Sequence, residues 1–261
     1  MDRSNIEKIA QSGEDRLLLA KLWDKINAGM RKNIPASTCF LSPREQEMAK
    51  YLFGSPEGLY FFGGYADAER KMLVFLPDYL EENALFEEDS PCVCLRADFY
   101  QGDSPSHRDF LGALMGAGIG RETVGDICVG EGRCDFFVTS DIAPYLLQNF
   151  TSAGRTKLNL QRISLAEASI PEPEVKEIKD TLASLRLDSV IASGFSLGRS
   201  LAAQYVTSGK AAIDGLPCEK PDKPVTEGMK ISVRGLGKIR LAQIKGRTKK
   251  DRISVVIHRY V

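Results

Sequence analysis

The chain has 261 residues, 43% hydrophobic and 27% charged, with 35 Lys and Arg balanced by 35 Asp and Glu. This composition builds one large domain or two to three small ones and excludes extended disorder. No apolar run approaches the roughly 18 residues of a membrane span, and acids spread through residues 1–26 exclude a signal peptide or an acid-poor transit peptide. The expected location is the cytoplasm, with no membrane partner.

Residues 1–78 form the first expected domain, mixed helix and hairpin. Ile6 and Ile9, then Leu17, Leu18, Leu22 and Ile26, recur at helical spacing. Ser42-Pro43-Arg44-Glu45 sets a cap, a first-turn proline and a third-position acid, which predicts a helix through Tyr51. Leu59 to Phe62 and Met72 to Leu76 flank GGYADAERK as a hairpin with a long loop.

Residues 79–168 form the second. Strands are expected at Val93–Ala97, Ile127–Val129, Cys134–Thr139 and Lys157–Ile163, with helices over Ser106–Met115 and from a Ser140-Asp141 cap to Asn149. This is the split βαβ order that RNA-recognition motifs share with many unrelated domains. In such motifs aromatic side chains on the two central strands stack bases. Here Arg133, Phe137 and Val138 match the pattern of the third strand, but its first aromatic is Asp135 and its last is Ser140, and Cys94 stands where the first strand needs a ring. The expectation is the topology without the stacking platform, serving as a scaffold or a protein contact.

The six cysteines include no CxxC pair. Cys92 and Cys94 with Cys128 and Cys134 could be imagined as a zinc site, but the first pair is too closely spaced for the usual ligand pattern. Each lies in an apolar, strand-like context, so buried thiols are expected, with no metal and no cofactor. Two histidines, His107 and His258, leave little material for imidazole chemistry.

Ile170-Pro171-Glu172-Pro173-Glu174 marks a linker over residues 169–175, with a helix expected from Val175. Charge divides nearby: from Thr181 to Val261 there are 15 Lys and Arg against 6 Asp and Glu, a surplus of nine, mirrored by a deficit of nine before it. A basic module on an acidic body is the electrostatic footprint of a nucleic-acid binder.

In the third domain, residues 176–261, Leu187, Val190 and Ile191, then Leu201, Ala202, Tyr205 and Val206, give two helices with apolar faces. Gly209 stops the second. Arg199 and Lys210 lie eleven residues apart, three helical turns, and would form a two-cation stripe if the helix reached that far. Strands follow at Ile231–Arg234, Lys238–Ile244 and Arg252–Arg259, the last with Ile253, Val255 and Ile257 alternating inward.

Arg186-Leu187-Asp188, Gly198-Arg199-Ser200, Gly209-Lys210-Ala211 and Asp214-Gly215 resemble the S-four, or αL-motif, RNA-binding domain. Gly198 and Asp214 replace its usual Ser and Asn. Gly118 to Ile127, Ile231 to Lys238 and Gly246 to Lys250 extend the likeness, and the chain resembles the YlmH family over nearly its whole length. That resemblance implies an α+β protein of three small domains and a non-enzymatic, monomeric binder of structured RNA. Its partners would be rRNA and tRNA on large ribosomal subunits stalled with peptidyl-tRNA, where it would assist rescue or C-terminal tailing of the stalled chain. The candidate RNA contacts on the helix pair are Arg186, Arg199, Ser200, Gln204 and Lys210. On the strands they are Arg234, Lys238, Arg240, Lys245, Arg247, Lys249, Lys250 and Arg252.

Three motifs point elsewhere. Gly194-Phe195-Ser196-Leu197-Gly198, followed by Asp222 and His258, satisfies a hydrolase pattern, but a helix rather than a strand is expected before it. Arg186-Leu187-Asp188 is similar to the catalytic motif of pseudouridine synthases, so an RNA-modifying enzyme is the alternative function. In those enzymes the catalytic domain follows the S-four domain, which here stands last, and a structural Asp188 paired with a nearby Arg is preferred. Gly116-Ala117-Gly118-Ile119-Gly120 lacks the dinucleotide spacing, and no Walker-type Lys follows.

Overall fold

Serine caps open the chain's first two long helices. The computed structural model describes residues 3–172, 174–248 and 251–260. After a single turn, α1 (Ile6–Ile9), Ser12 Oγ accepts the Asp15 N–H at 3.1 Å and starts α2 (Gly13–Lys32). β1 (Ala36–Leu41) was not expected from the sequence. It leads into α3 (Pro43–Phe53), where Ser42 and Glu45 form a complete capping box. β2 (Leu59–Phe62) and β3 (Lys71–Phe75) are the expected hairpin strands, in an antiparallel sheet of order β1-β3-β2. β3 is central and buried on both faces: Leu73 and Phe75 meet the helices, Met72 and Val74 the opposite side.

Asp15, 5% exposed, accepts both Arg44 guanidinium hydrogen bonds at 2.7 Å and ties α2 to α3. These bonds, opposed by burial, bring its carboxyl down to about 2. A carboxylate with a depressed folded value stabilises above its unfolded value of about 3.9, and that contribution, about 2 kcal/mol, is lost as pH falls toward 2. Urea unfolding between about pH 5 and pH 2 should therefore show an acid loss that Asp15→Asn flattens; an equally steep loss in the variant would remove Asp15 as its source.

The second sheet comprises β4 (Cys92–Asp98), β5 (Val124–Val129), β6 (Arg133–Thr139) and, after a two-residue hairpin pair β7 (Ser152–Ala153) and β8 (Thr156–Lys157), β9 (Asn159–Ile163). With α4 (His107–Gly116) between β4 and β5 and α5 (Ala143–Asn149) after β6, its order β5-β6-β4-β9 is the split βαβ arrangement. Ser106 caps α4 in a second box, whereas α5 starts after Ile142 without a side-chain cap, not at the expected Ser140-Asp141. Strand Lys157–Ile163 is shortened because Thr156 and Lys157 pair back with Ser152 and Ala153.

Each strand of this sheet presents alternate residues to two cores. Val93, Leu95, Phe136 and Val138 pack under α4 and α5; Cys92, Cys94, Cys128 and Phe137 pack against Phe40, Phe62, Met72 and Val74 of the first sheet. The segments expected as separate domains thus share a core within one unit, Met1–Pro171. Asp126 locks the joint: it accepts hydrogen bonds from Tyr65 Oη at 2.8 Å and from the Glu69 and Arg70 N–H groups at 2.6 and 3.1 Å. The Arg70 guanidinium donates to the carbonyls of Val124, Phe40 and Arg121. A Cβ on Gly125 would lie 2.7 Å from the Phe40 ring, so the two sheets meet there only over glycine.

The second unit spans Glu172–Val261. The helix expected from Val175 is instead a strand, β10 (Val175–Leu182), paired along its whole length with the chain's last strand. Then come α6 (Leu187–Phe195), α7 (Arg199–Thr207), β11 (Ala211–Ile213), β12 (Leu216–Pro217), β13 (Lys230–Val233), β14 (Gly237–Arg247) and β15 (Ile253–Tyr260). The sheet is antiparallel, in the order β10-β15-β14-β13-β11-β12. Asp214 and Gly215, both at positive φ, make the two-residue turn between β11 and β12. Leu187, Val190, Ile191, Ala202 and Val206 bury the helices on one sheet face, against Ile231, Val233, Ile239, Leu241, Val255 and Ile257. The expected alternation of β15 is broken at Val256, buried on the other face, beside register shifts in β14. Among the described residues no helix is long and apolar enough to cross a membrane.

Candidate nucleic-acid interface

The helix pair of the second unit is organised by one buried carboxylate. Asp188, 3% exposed in the first turn of α6, accepts from Arg186 Nε and Nη2 and from Arg199 Nε, all at 3.2 Å. Burial pushes its carboxyl up, but hydrogen bonds from Arg186 and Arg199, with their charges, hold it below its ordinary value. Arg199 opens α7, where the helix dipole disfavours a cation; Asp188 offsets that and aims the guanidinium. Asp188 is thus the expected structural partner of an arginine, and Arg199 is anchored rather than free.

α7 ends at Thr207. Gly209, at φ +69°, turns the chain so that its N–H donates to Val206 O and the Lys210 N–H to Tyr205 O, closing a Schellman motif. Lys210 therefore lies beyond the helix, past its end at Thr207. The two-cation stripe expected on one helix face does not form. Lys210 instead sits with its ammonium 5.4 Å from the Tyr205 ring centroid, and its carbonyl accepts the Arg234 N–H at 2.8 Å. That pairing joins Arg234 to Lys210 across two strands. Ser200 and Gln204 are exposed one turn apart on α7 between the two ends.

The remaining candidates divide by the pleat of the sheet. Gly194 of α6 sits against Ile239 and Ile257, so Lys238 and Arg240 point to the opposite face. Lys245 lies farther along β14, exposed. Arg247 pairs with Asp251 near the β14–β15 turn, and Arg252 donates to Thr181 Oγ1 at 3.0 Å and to Thr181 O. Lys249 and Lys250 lie outside the described residues. Arg199 and Arg252 both line a groove of about 580 Å3 between β10 and α6, with the hydroxyl residues Ser189, Ser193 and Ser196. Asp180 lines it too, but its carboxylate already accepts from Ser193 Oγ and the Thr181 N–H. Two guanidinium groups and serine hydroxyls along one groove, beside the apolar Ile178, Leu182 and Leu197, offer donors to a phosphodiester backbone. Sequence reasoning missed Lys230, whose outward side is readable from Lys230-Ile231-Ser232-Val233, but not the residue it pairs with.

The other motifs resolve differently. Ser196 is the left-handed residue, φ +56°, between α6 and α7, on the helix side, while His258 follows the inward-facing Ile257 and points to the opposite sheet face. The hydrolase pattern does not converge. On the first unit's split βαβ sheet, three positions that would stack a base are covered: Cys94 is buried in the shared core, Phe137 lies under Tyr65 with ring centroids 5.2 Å apart, and Asp135 is locked by Arg96; Ser140 is exposed but carries no ring. The cysteines of the imagined zinc site face opposite ways, Cys94 and Cys128 toward the first sheet and Cys134 toward the helices. Burial pushes the Cys128 thiol up to about 11.

With this geometry in place, comparisons with known proteins place the chain among relatives. The family described as "Putative RNA-binding domain in YlmH" matches residues 103–167. "Ribosome-associated protein quality control protein P2" of Bacillus subtilis (strain 168) is 37% identical over 224 residues, covering 85% of this chain and 86% of that protein. The solved structure titled "Cell division protein ylmH from Streptococcus pneumoniae" aligns with a TM-score of 0.49 at 22% identity, over 62% of this chain and 98% of that one.

Proposed function

The chain belongs to the YlmH family, and from that premise we propose that it is a non-enzymatic, monomeric binder of structured RNA on the large ribosomal subunit in the cytoplasm. It acts in ribosome-associated quality control, on subunits that carry a stalled peptidyl-tRNA, and assists rescue or C-terminal tailing of the stalled chain. The RNA is rRNA, with tRNA as a second contact. The observation that carries this reading is the groove in which Arg199 and Arg252, 53 residues apart in the chain, come together over serine hydroxyls. Charge supports it: with the unit boundary at residue 172, the second unit holds 17 Lys and Arg against 10 Asp and Glu, a surplus of seven. β10 belongs to this unit and brings acids into it, which lowers the surplus from the nine counted after residue 180. The proposed contacts are Arg186, Arg199, Ser200, Gln204 and Lys210 on and after the helix pair, with Arg234 bonded through its N–H to Lys210 O and Arg252 across the groove. Lys238 and Arg240 lie on the other face, Lys245 and Arg247 run along β14 toward its turn into β15, and Lys249 and Lys250 are proposed contacts outside the described residues.

The first unit is read as a scaffold. Its sheet has helices on one face and another sheet on the other, so neither is open to bases. Its acidic surplus opposes approach to phosphate. The RNA-modifying alternative gains no support, because Asp188 is committed to two arginines.

Residues 172–261, which own a separate core, should bind an rRNA hairpin within about threefold of the full chain, and the affinity should fall with a log–log salt slope of roughly −0.7 to −0.9 per neutralised phosphate. Residues 1–171 should bind far more weakly. Equal affinity for the two fragments would overturn the assignment. In sucrose gradients at low salt the tagged full chain should travel with large subunits; a protein that stays at the top, or follows small subunits alone, would refute the ribosomal address.

A further inference from the structure

The sheet face turned away from α6 and α7 carries its own line of cations. Register places Lys230 on β13 opposite Arg240 on β14, and Arg240 opposite His258 on β15. Paired residues of antiparallel strands share a face, so the three side chains form one row across neighbouring strands about 5 Å apart. Lys238, opposite Ser232, stands on the same face one step along. Like charges set directly opposite each other destabilise a sheet, and among the described residues neither Lys230 nor Arg240 makes an ion pair. The acids nearest the row are already engaged. Glu177, at its far end, pairs with Lys179 at 3.0 Å and lies 3.9 Å from His258. Asp214 accepts the Lys230 N–H at 2.9 Å, and Glu227 accepts the Ile244 N–H at 2.8 Å. Lys230 and Arg240, two like charges set side by side, are relieved by a shared polyanion.

We propose that this open face is a second RNA-contacting surface, so that the second unit grips two RNA segments at once, one on its helix side and one across Lys230, Arg240 and His258. The proposal rests on the helix-side reading given above and extends it from one contact to a bridge. The occupant is a phosphate backbone because the row offers charge without anchors: beyond it the floor is Ala242 and Val256, rimmed by Lys179, Lys245 and Gln243 and by the carboxylates of Glu177 and Glu227, the first paired with Lys179 and the second bonded to the Ile244 N–H. A protein partner draws its affinity from aromatic or large apolar residues seated in pockets, whereas phosphate contacts need only placed cations.

The test uses the full-length protein and two differently labelled copies of one RNA hairpin. The wild type should bind two hairpins and bring the labels together. Lys230→Glu with Arg240→Glu should abolish the second binding event and the label transfer, and leave the tighter affinity within about threefold. Lys230→Gln serves as the folding control: it removes the like-charge pair, so its melting temperature should equal or exceed that of the wild type, while the second affinity falls about tenfold. A wild type that binds one hairpin only, or a double variant that still joins two, overturns the proposal. So does capture of poly-glutamate at this face in preference to RNA. If the wild type binds no hairpin at all, the proposed function itself fails, whereas a wild type that binds one hairpin fails only the second surface, which separates the two failures.

Discussion

Lys210→Glu with Arg234→Glu should lower RNA affinity on the order of a hundredfold, about 1.4 kcal/mol for each reversed cation, and flatten the log–log salt slope by about two. Both side chains are exposed, and the β11–β13 ladder, extended by the Arg234 N–H to Lys210 O bond, holds their stretches together, so the reversal replaces two neighbouring attractions to phosphate with repulsions. Neither side chain is part of the core, and the melting temperature should stay near that of the wild type. Arg199 is the less suitable target even though it lines the groove. Arg199→Glu would set a second carboxylate against buried Asp188, and a loss of binding there would mix misfolding with lost contact. Fluorescence anisotropy over a salt series checks the pair; unchanged affinity in a folded variant would move the site to the groove formed by Arg199 and Arg252.

Arg96→Ala should destabilise the first unit by about 3–4 kcal/mol, the range for removing one partner of a buried ion pair. Arg96 and Asp135 are directly opposed on β4 and β6 and bonded twice, at 2.8 and 2.7 Å, and the Asp135 side chain is fully buried. Asp135 also accepts the Ser169 N–H at 2.7 Å, and Arg96 donates to Glu167 O at 2.9 Å, so the pair pins the segment after β9 onto the sheet. Without the arginine a carboxylate remains where water does not reach. For a unit of this size the loss corresponds to a fall of roughly 10 °C in melting temperature. Replacing both partners with apolar residues, Arg96→Met with Asp135→Leu, should recover much of it, because no charge is then stranded. Calorimetry of the full chain reads the effect, and RNA affinity should not change, since the proposed site lies in the other unit. A variant that melts like wild type would show that the pair adds nothing.

Much of this molecule was legible locally. The Ser42–Glu45 box, the Ser106 helix, the Gly209 stop and the Asp214-Gly215 turn each depend on backbone groups within a few residues of one another, so type and spacing were enough. The strand and helix order of the split βαβ sheet was readable from periodicity, and Cys94 in place of an aromatic already spoke against a stacking platform. The motif Arg186-Leu187-Asp188 with Gly198-Arg199-Ser200 correctly predicted a structural aspartate.

What sequence could not reach is whatever a distant partner decides. Val175–Leu182 is a strand because Ile253–Tyr260 pairs with it, and no local pattern within Lys176 to Asp180 announces a neighbour over 70 residues away. The burial of Phe137 depends on Tyr65 and the first sheet covering it; alternation shows that a residue has a face, not what covers that face. The stripe from Arg199 to Lys210 failed for a nearer reason, that one left-handed glycine redirects the chain before the third turn. The division of the basic residues between a helix side and an open sheet side followed only once β14 took its register between β13 and β15. A strand's pleat sorts its side chains into two sets, but only tertiary packing decides which set meets the core and which is left for solvent and RNA.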